Sequence, residues 1–178
     1  MRCRSHQGAR AAAEIAVLAP GRVRKLVLDG VGHFEDASFK ADLIENYMPA
    51  MKIDHLGSQV RFAWHYVRDS FFFWPYYKRD AEHARDVGLP DPGILHDQVV
   101  GVLKSARTLH KILKATFAYP THERLPKIAA PTLVSRLDGV LDIIPDCNQT
   151  EHGFYDPALS TDEEVAAIAK TICDFLDA

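Results

Sequence analysis

The chain has 178 residues, of which 47% are apolar, so it is long enough for one domain with a sizeable core. Its 21 Lys and Arg residues against 24 Asp and Glu residues give a formal net charge of −3, with no long run of one sign. This balance argues against a nucleic-acid-binding face and against a polybasic membrane-binding patch. Cysteine occurs three times, at Cys3, Cys147 and Cys173, without a C-x-x-C pair. The odd count disfavours a disulfide framework and favours a reducing, cytoplasmic location.

The first part of the chain predicts a helix, a tight turn and a buried strand. Residues 8–19 are rich in Ala, Ile, Val and Leu and contain no helix breaker, and Pro20-Gly21 then ends the helix. Residues 23–29 (VRKLVLD) contain three consecutive apolar residues, which is typical of a parallel strand covered on both faces. Gly30 ends this strand.

The middle of the chain, from about residue 37 to residue 119, is helical and aromatic. One helix is predicted with Ser58 as its N-cap and with an apolar face that runs to Phe71, and Pro75 ends it. Asp91-Pro92 predicts another helix start, a capping residue followed by a first-turn proline. The aromatic run at residues 71–77 indicates core packing of this helical region, or the lining of an apolar pocket.

The last third returns to the pattern of the first part. Residues 131–134 (PTLV) predict a second buried parallel strand. Ser160 and Glu163 have the spacing of a capping box, and the apolar residues that follow predict one face of a final helix; these are Val165, Ile168, Ala169, Ile172, Phe175 and Leu176.

Strands that alternate with helices predict the α/β class. A long helical insertion separates the two predicted strands, and two or three strands make a small sheet for so many helices. A parallel sheet needs both faces covered by other elements, and its edge strands must be protected from pairing with another chain. We therefore expect either that strands are missing from this chain or that another chain supplies them.

Two stretches resemble the α/β-hydrolase superfamily, in its esterase, lipase and haloperoxidase-like branch. The first, Ser5–Gly30 (SHQGARAAAEIAVLAPGRVRKLVLDG), resembles the helix after the nucleophile elbow and the strand that follows it. The second, Ile128–Pro145 (IAAPTLVSRLDGVLDIIP), resembles the late strand whose following turn carries the acid of the catalytic triad. The resemblance implies an incomplete α/β-hydrolase fold with few parallel strands, a core formed by residues 1–36 and 120–178, and a helical cap insertion at residues 37–119.

The resemblance also implies positions for catalytic groups. When Gly8 is matched to the second small residue of the elbow, the nucleophile's position falls on His6, and the backbone N–H of Gln7 becomes an oxyanion donor. Asp142 matches the triad acid, with Asp138 as the alternative, and His152 follows as the base. The histidine at the elbow and the missing early strands predict a truncated or degenerate relative.

Two functional hypotheses follow from these patterns. The first is hydrolysis of small, apolar, ester-like substrates by acyl transfer to water. The second is a non-catalytic binding module, or a homo-oligomer, in which an open sheet edge binds another chain. No histidine or cysteine cluster has metal-ligand spacing and no Gly-rich phosphate loop occurs, so no metal or other cofactor is expected.

Overall fold

The computed structural model describes residues 7–135, 148–149 and 160–178. Within them the protein is of mixed α/β class, with a small parallel sheet. The elements in chain order are α1 (Gln7–Leu18), a 3-10 turn (Pro20–Arg22), β1 (Leu26–Leu28), α2 (Ala37–Asn46), α3 (Ser58–Phe72), α4 (Pro92–Lys104), α5 (Leu109–Ala118), α6 (Thr121–Arg124), a second 3-10 turn (Leu125–Lys127), β2 (Thr132–Val134), β3 (Asn148–Gln149) and α7 (Asp162–Asp177).

The helix, turn and strand predicted at the start of the chain are confirmed as α1, a 3-10 turn and β1. One face of α1 carries small side chains, Ala9, Ala13 and Ala16, all of which are buried. This face packs in one cluster with Leu28 of β1 and with other buried apolar residues. Small side chains at helical spacing let α1 pack closely against β1.

The second predicted strand is confirmed as β2, which pairs with β1 in parallel. Leu26 lies opposite Thr132, and Leu28 lies opposite Val134. β3 pairs in parallel with the other side of β2, so the order is β1-β2-β3 in the described part of the chain. Leu28 and Val134 are fully buried, as expected for strands covered on both faces.

Contacts between residues divide the chain into two compact units. One contains the described residues up to Glu35 and from Tyr119 onward, and therefore the sheet. The other is Asp36–Ala118, in which α2 packs against α5 and α3 packs against α4.

An aromatic cluster forms the centre of the unit Asp36–Ala118. The ring centroid of Tyr47 lies 4.8 Å from that of Phe117, 5.4 Å from that of Trp74 and 5.6 Å from that of Tyr76. Burial raises the pKa of Tyr66, which lies beside them, to about 12. Much of the aromatic run at residues 71–77 thus packs within its own unit, although Trp74 keeps 40% of its surface exposed.

The structure corrects two predicted helix starts. α3 is preceded by Gly57 in the left-handed region (φ 71°) and not by Ser58, which is the first helical residue. The carboxylate of Asp54 accepts hydrogen bonds from the N–H and hydroxyl of Ser58. A carboxylate a few residues before a helix can thus accept a hydrogen bond from a first-turn N–H group, which has no partner inside the helix.

The second correction concerns α7, whose capping box joins Thr161 and Glu164 rather than Ser160 and Glu163. The sequence satisfies the capping pattern in both registers. The observed register places three acidic residues in the first turn, where the helix dipole favours negative charge. Asp91 does cap α4 as predicted, accepting a 2.7 Å hydrogen bond from the N–H of Gly93.

The predicted apolar face of α7 is covered only in part. Ile168, Ile172 and Phe175 are half-buried, whereas Val165 and Leu176 are exposed, and α7 has no fully buried residue. Lys25 holds the end of this helix, because its Nζ donates to the carbonyl oxygens of Phe175 (2.8 Å) and Leu176 (3.2 Å). Within the residues described, no helix is long and apolar enough to cross a membrane.

Candidate functional site

The carboxyl edge of β1 and β2 brings together polar groups from distant parts of the sequence. β1 is followed by Asp29, which is buried, and by Gly30, which has a φ of 72°. β2 is followed by Ser135, which is also buried. Because the strands are parallel, both turns lie at the same edge, where open α/β sheets place their ligands.

Ser135 joins the two turns. Its Oγ accepts a 2.9 Å hydrogen bond from the buried N–H of Gly30, and its backbone N–H donates to the carbonyl oxygen of Leu28 (3.0 Å). Gly30 adopts a left-handed conformation that side chains disfavour, and Ser135 holds it there. With its oxygen accepting this bond, Ser135 acts as a positioning residue for the turn.

Arg10 brings a positive charge to the same edge from α1. Only 7% of its surface is exposed, and its Nη2 donates a 2.7 Å hydrogen bond to the carbonyl oxygen of Gly32. Its Nε has no hydrogen-bond partner among the described residues. Burial lowers the pKa of Arg10 to about 10, since a low-dielectric environment disfavours the charged form, while the nearby Tyr119 raises it by a smaller amount. At neutral pH the guanidinium therefore still carries its charge.

Two histidines of the unit that contains the sheet contact each other. The rings of His33, in the loop after β1, and His122, in α6, meet edge to face with their centroids 4.0 Å apart. His33 is half-buried and His122 is exposed. The contact joins the loop after β1 to α6.

An ionic network fixes α6 to α1. The guanidinium of Arg124 binds both carboxylate oxygens of Glu14, with Nε 2.9 Å from Oε2. The hydroxyl of Tyr119 donates to Oε2 of the same carboxylate (3.1 Å). The hydrogen bond from Arg124 is the largest cause of the lowered pKa of Glu14. Burial, followed by the hydrogen bond to Glu14, raises the pKa of Tyr119 to about 12.

Of the site residues predicted from the sequence, the structure describes Gln7 alone. Gln7 is the first residue of α1 and is half-buried. His6, Asp142 and His152 lie outside the described residues, as does the alternative acid Asp138. Their distances from the sheet edge therefore stay predictions.

The sequence reasoning missed Arg10, Ser135 and the His33–His122 pair. The sequence does point to Arg10, because it is a charged residue within the Ala-rich stretch that predicts a buried helix. Ser135 follows a strand directly, which is where parallel sheets carry polar groups. The histidine pair joins residues far apart in the sequence, and no spacing pattern could have revealed it.

The described ranges contain no group of three or more His, Cys, Asp or Glu side chains that could hold a metal ion. Cys173 is a free, exposed thiol on α7. In comparisons with known proteins, no protein-family model matches the chain. No curated protein shows a significant match to it either.

Proposed function

We propose that the unit containing the sheet is the catalytic part of an α/β-hydrolase-type protein that hydrolyses small ester-like substrates. The observation that carries the proposal is the order of elements at the sheet edge. α1 leads into β1, a separate helical unit follows, and β2 then returns to pair with β1 in parallel. The resemblance of residues 5–30 and 128–145 to the superfamily implies the same order, with the helical unit as its cap.

The proposed reaction uses the start of α1. There the backbone N–H of Gln7 has no acceptor within its own helix, because first-turn N–H groups lack one. Such a donor, at the positive end of the helix dipole, suits the negative oxygen that develops when an ester carbonyl is attacked. His6, one residue earlier, attacks the carbonyl carbon through a ring nitrogen, and the acyl–oxygen bond breaks to release the alcohol and leave an acyl-histidine. Water then attacks the acyl group, the bond to His6 breaks, and the acid leaves.

Asp142 and His152 complete the proposed machinery. The carboxylate of Asp142 orients the imidazole of His152, which takes a proton from the attacking group and returns it to the leaving alcohol. Arg10 supports the same chemistry as a positioning residue. It lies on α1 one turn after Gln7, and its buried charge strengthens the positive potential at this edge.

Hydrolysis of p-nitrophenyl acetate by the purified chain tests this function. We expect His152→Ala and Asp142→Asn each to lower kcat about a hundredfold or more, the contribution of a general base. His96→Ala is the matched control, because His96 is an exposed histidine of α4 in the other unit. Release of nitrophenol at the uncatalysed rate, or equal rates for all variants, would contradict the proposal.

A second function is favoured by a different observation. β1 is an edge strand of the sheet in the described part of the chain, and its side opposite β2 carries no strand there. Leu26 and Leu28 exchange backbone hydrogen bonds with the β2 segment, so the N–H and C=O of Val27 point toward the open side. A second copy of the chain could add a strand at this edge.

The Val27→Pro variant tests edge pairing, because it deletes the outward N–H while the hydrogen bonds of Leu26 and Leu28 to the β2 segment remain. If the edge joins two copies, analytical ultracentrifugation will show a dimer for the unmodified chain and a monomer for Val27→Pro. A folded, monomeric unmodified chain rules out this second function.

A further inference from the structure

The unit Asp36–Ala118 carries an exposed apolar ridge that the proposed hydrolysis does not use. The ridge consists of Ile53, Leu56, Val60 and Trp64, with 49%, 84%, 50% and 43% of their surfaces exposed. Val60 and Trp64 are four residues apart on α3 and therefore share one helical face. Leu56 lies in the turn directly before that helix. Exposed apolar side chains grouped in this way mark an interaction surface.

The charges around the ridge are positive. The segment from residue 51 to residue 64 contains Lys52, Arg61 and one acid, Asp54. The side chain of Lys52 is 79% exposed and Arg61 is exposed, whereas that of Asp54 is only 17% exposed. Lys52 Nζ lies 3.3 Å from Asp54 Oδ2, so this ion pair offsets the charge of Lys52. The ridge keeps a net positive charge through the exposed Arg61, although the whole chain has a negative formal charge.

Asp54 is held within the turn. Its carboxylate accepts hydrogen bonds from the backbone N–H groups of Leu56 (3.0 Å) and Ser58 (3.1 Å) and from the hydroxyl of Ser58 (2.8 Å). These bonds lower the pKa of Asp54, with the one from the Ser58 backbone as the largest cause. They fix the turn that exposes Leu56.

We propose that this ridge binds the surface of a membrane that contains anionic lipids. Leu56 and Ile53 enter the boundary between headgroups and acyl chains, Trp64 lies at headgroup level, and Lys52 and Arg61 contact lipid phosphates. The net positive charge of the ridge selects an anionic partner. Exposed apolar side chains with cations beside them are the composition of a surface that lies in the headgroup region of a membrane. The inference does not depend on the hydrolase activity.

The fluorescence of Trp64 reports this binding directly. The chain has two tryptophans, Trp64 and Trp74, so a Trp74→Phe variant emits from Trp64 alone. With vesicles of equal parts phosphatidylglycerol and phosphatidylcholine, we expect its emission to shift to shorter wavelength as the ring leaves water. Pure phosphatidylcholine vesicles should give no shift, and added salt should weaken the shift because it screens the charges.

Variants locate the binding on the ridge, with co-sedimentation of the otherwise unmodified chain as the second measurement. Leu56→Ser should reduce the partition coefficient for the anionic vesicles by about tenfold or more. Arg61→Gln should reduce it by about fivefold. Leu18→Ser is the matched control, since Leu18 is 72% exposed on α1 in the other unit, and it should leave the coefficient unchanged.

Three results would overturn the proposal. The first is the absence of both the shift and co-sedimentation. The second is equal binding by Leu56→Ser and the unmodified chain. The third is an emission shift that depends on protein concentration without vesicles, which would assign the ridge to contact between two copies of the chain.

Discussion

Replacement of Ser135 by alanine tests how the carboxyl edge of the sheet is held. The substitution removes the acceptor for the buried N–H of Gly30, which now lies 2.9 Å from Ser135 Oγ. A buried donor left without a partner costs about 1–3 kcal/mol in the free energy of unfolding. For a chain of this length each kcal/mol shifts Tm by about 2–4 °C. We therefore expect Ser135→Ala to lower Tm by about 2–12 °C, measured by circular dichroism.

Ser38→Ala is the matched control for this experiment. Ser38 is exposed, and its hydroxyl donates to Asp36, while the backbone N–H groups that Asp36 caps stay in place. Such a surface change should alter the free energy of unfolding by less than about 0.5 kcal/mol. Hydrogen exchange at the Gly30 amide gives a local readout, which should accelerate in Ser135→Ala alone. Equal Tm values and equal exchange in the two variants would refute the assigned role of Ser135.

Three further substitutions test other contacts of the sheet unit. Leu28→Ala should lower the free energy of unfolding, measured in urea, by about 2–5 kcal/mol, because Leu28 is fully buried between helix and sheet. Glu14→Gln should destabilise the chain at neutral pH but not in acid. The folded-state pKa of Glu14 is lowered, so its stabilisation is present above the unfolded value of about 4.3 and disappears as pH falls through the folded value. Lys25→Met should speed hydrogen exchange in the last turn of α7, whose carbonyl groups Lys25 binds, whereas Lys111→Met, at an exposed position of α5 in the other unit, should not.

The elements that the sequence predicted best are those whose burial follows from local pattern. The Ala-rich face of α1, the apolar run of β1 and the Thr-Leu-Val strand each have one arrangement that buries their side chains. The start of α4 could also be predicted from the sequence, because Asp91 is a capping residue and Pro92 follows it as a first-turn proline. In each case the deciding interaction is local or is a simple apolar contact.

The errors arose where two local solutions compete. Ser160 and Thr161 both begin a capping pattern, and the choice between them depends on first-turn charge rather than on the pattern itself. At α3, Asp54 accepts a hydrogen bond from the first turn although it lies outside the capping position. The prediction of Ser58 as the N-cap is therefore wrong, because Ser58 is the first helical residue. The local spacing of residues predicts that a helix starts in each segment. The exact first residue depends on which group accepts hydrogen bonds from the first-turn N–H groups.

Arg10 connects the packing of the sheet unit to its proposed chemistry. Burial of a guanidinium is costly, and a backbone carbonyl at 2.7 Å compensates only part of that cost. The same burial lowers the pKa of Arg10 to about 10. A methionine would fill a similar volume without that cost, so the charge has a stability disadvantage at this position. If the carboxyl edge of the sheet binds a developing oxyanion, the guanidinium of Arg10 gains an oppositely charged partner during the reaction. Arg10→Met should then raise Tm or leave it unchanged while it lowers kcat, and Arg10→Lys should recover part of that kcat. A loss of Tm with unchanged kcat in Arg10→Met would assign Arg10 to the packing of the Gly32 loop alone.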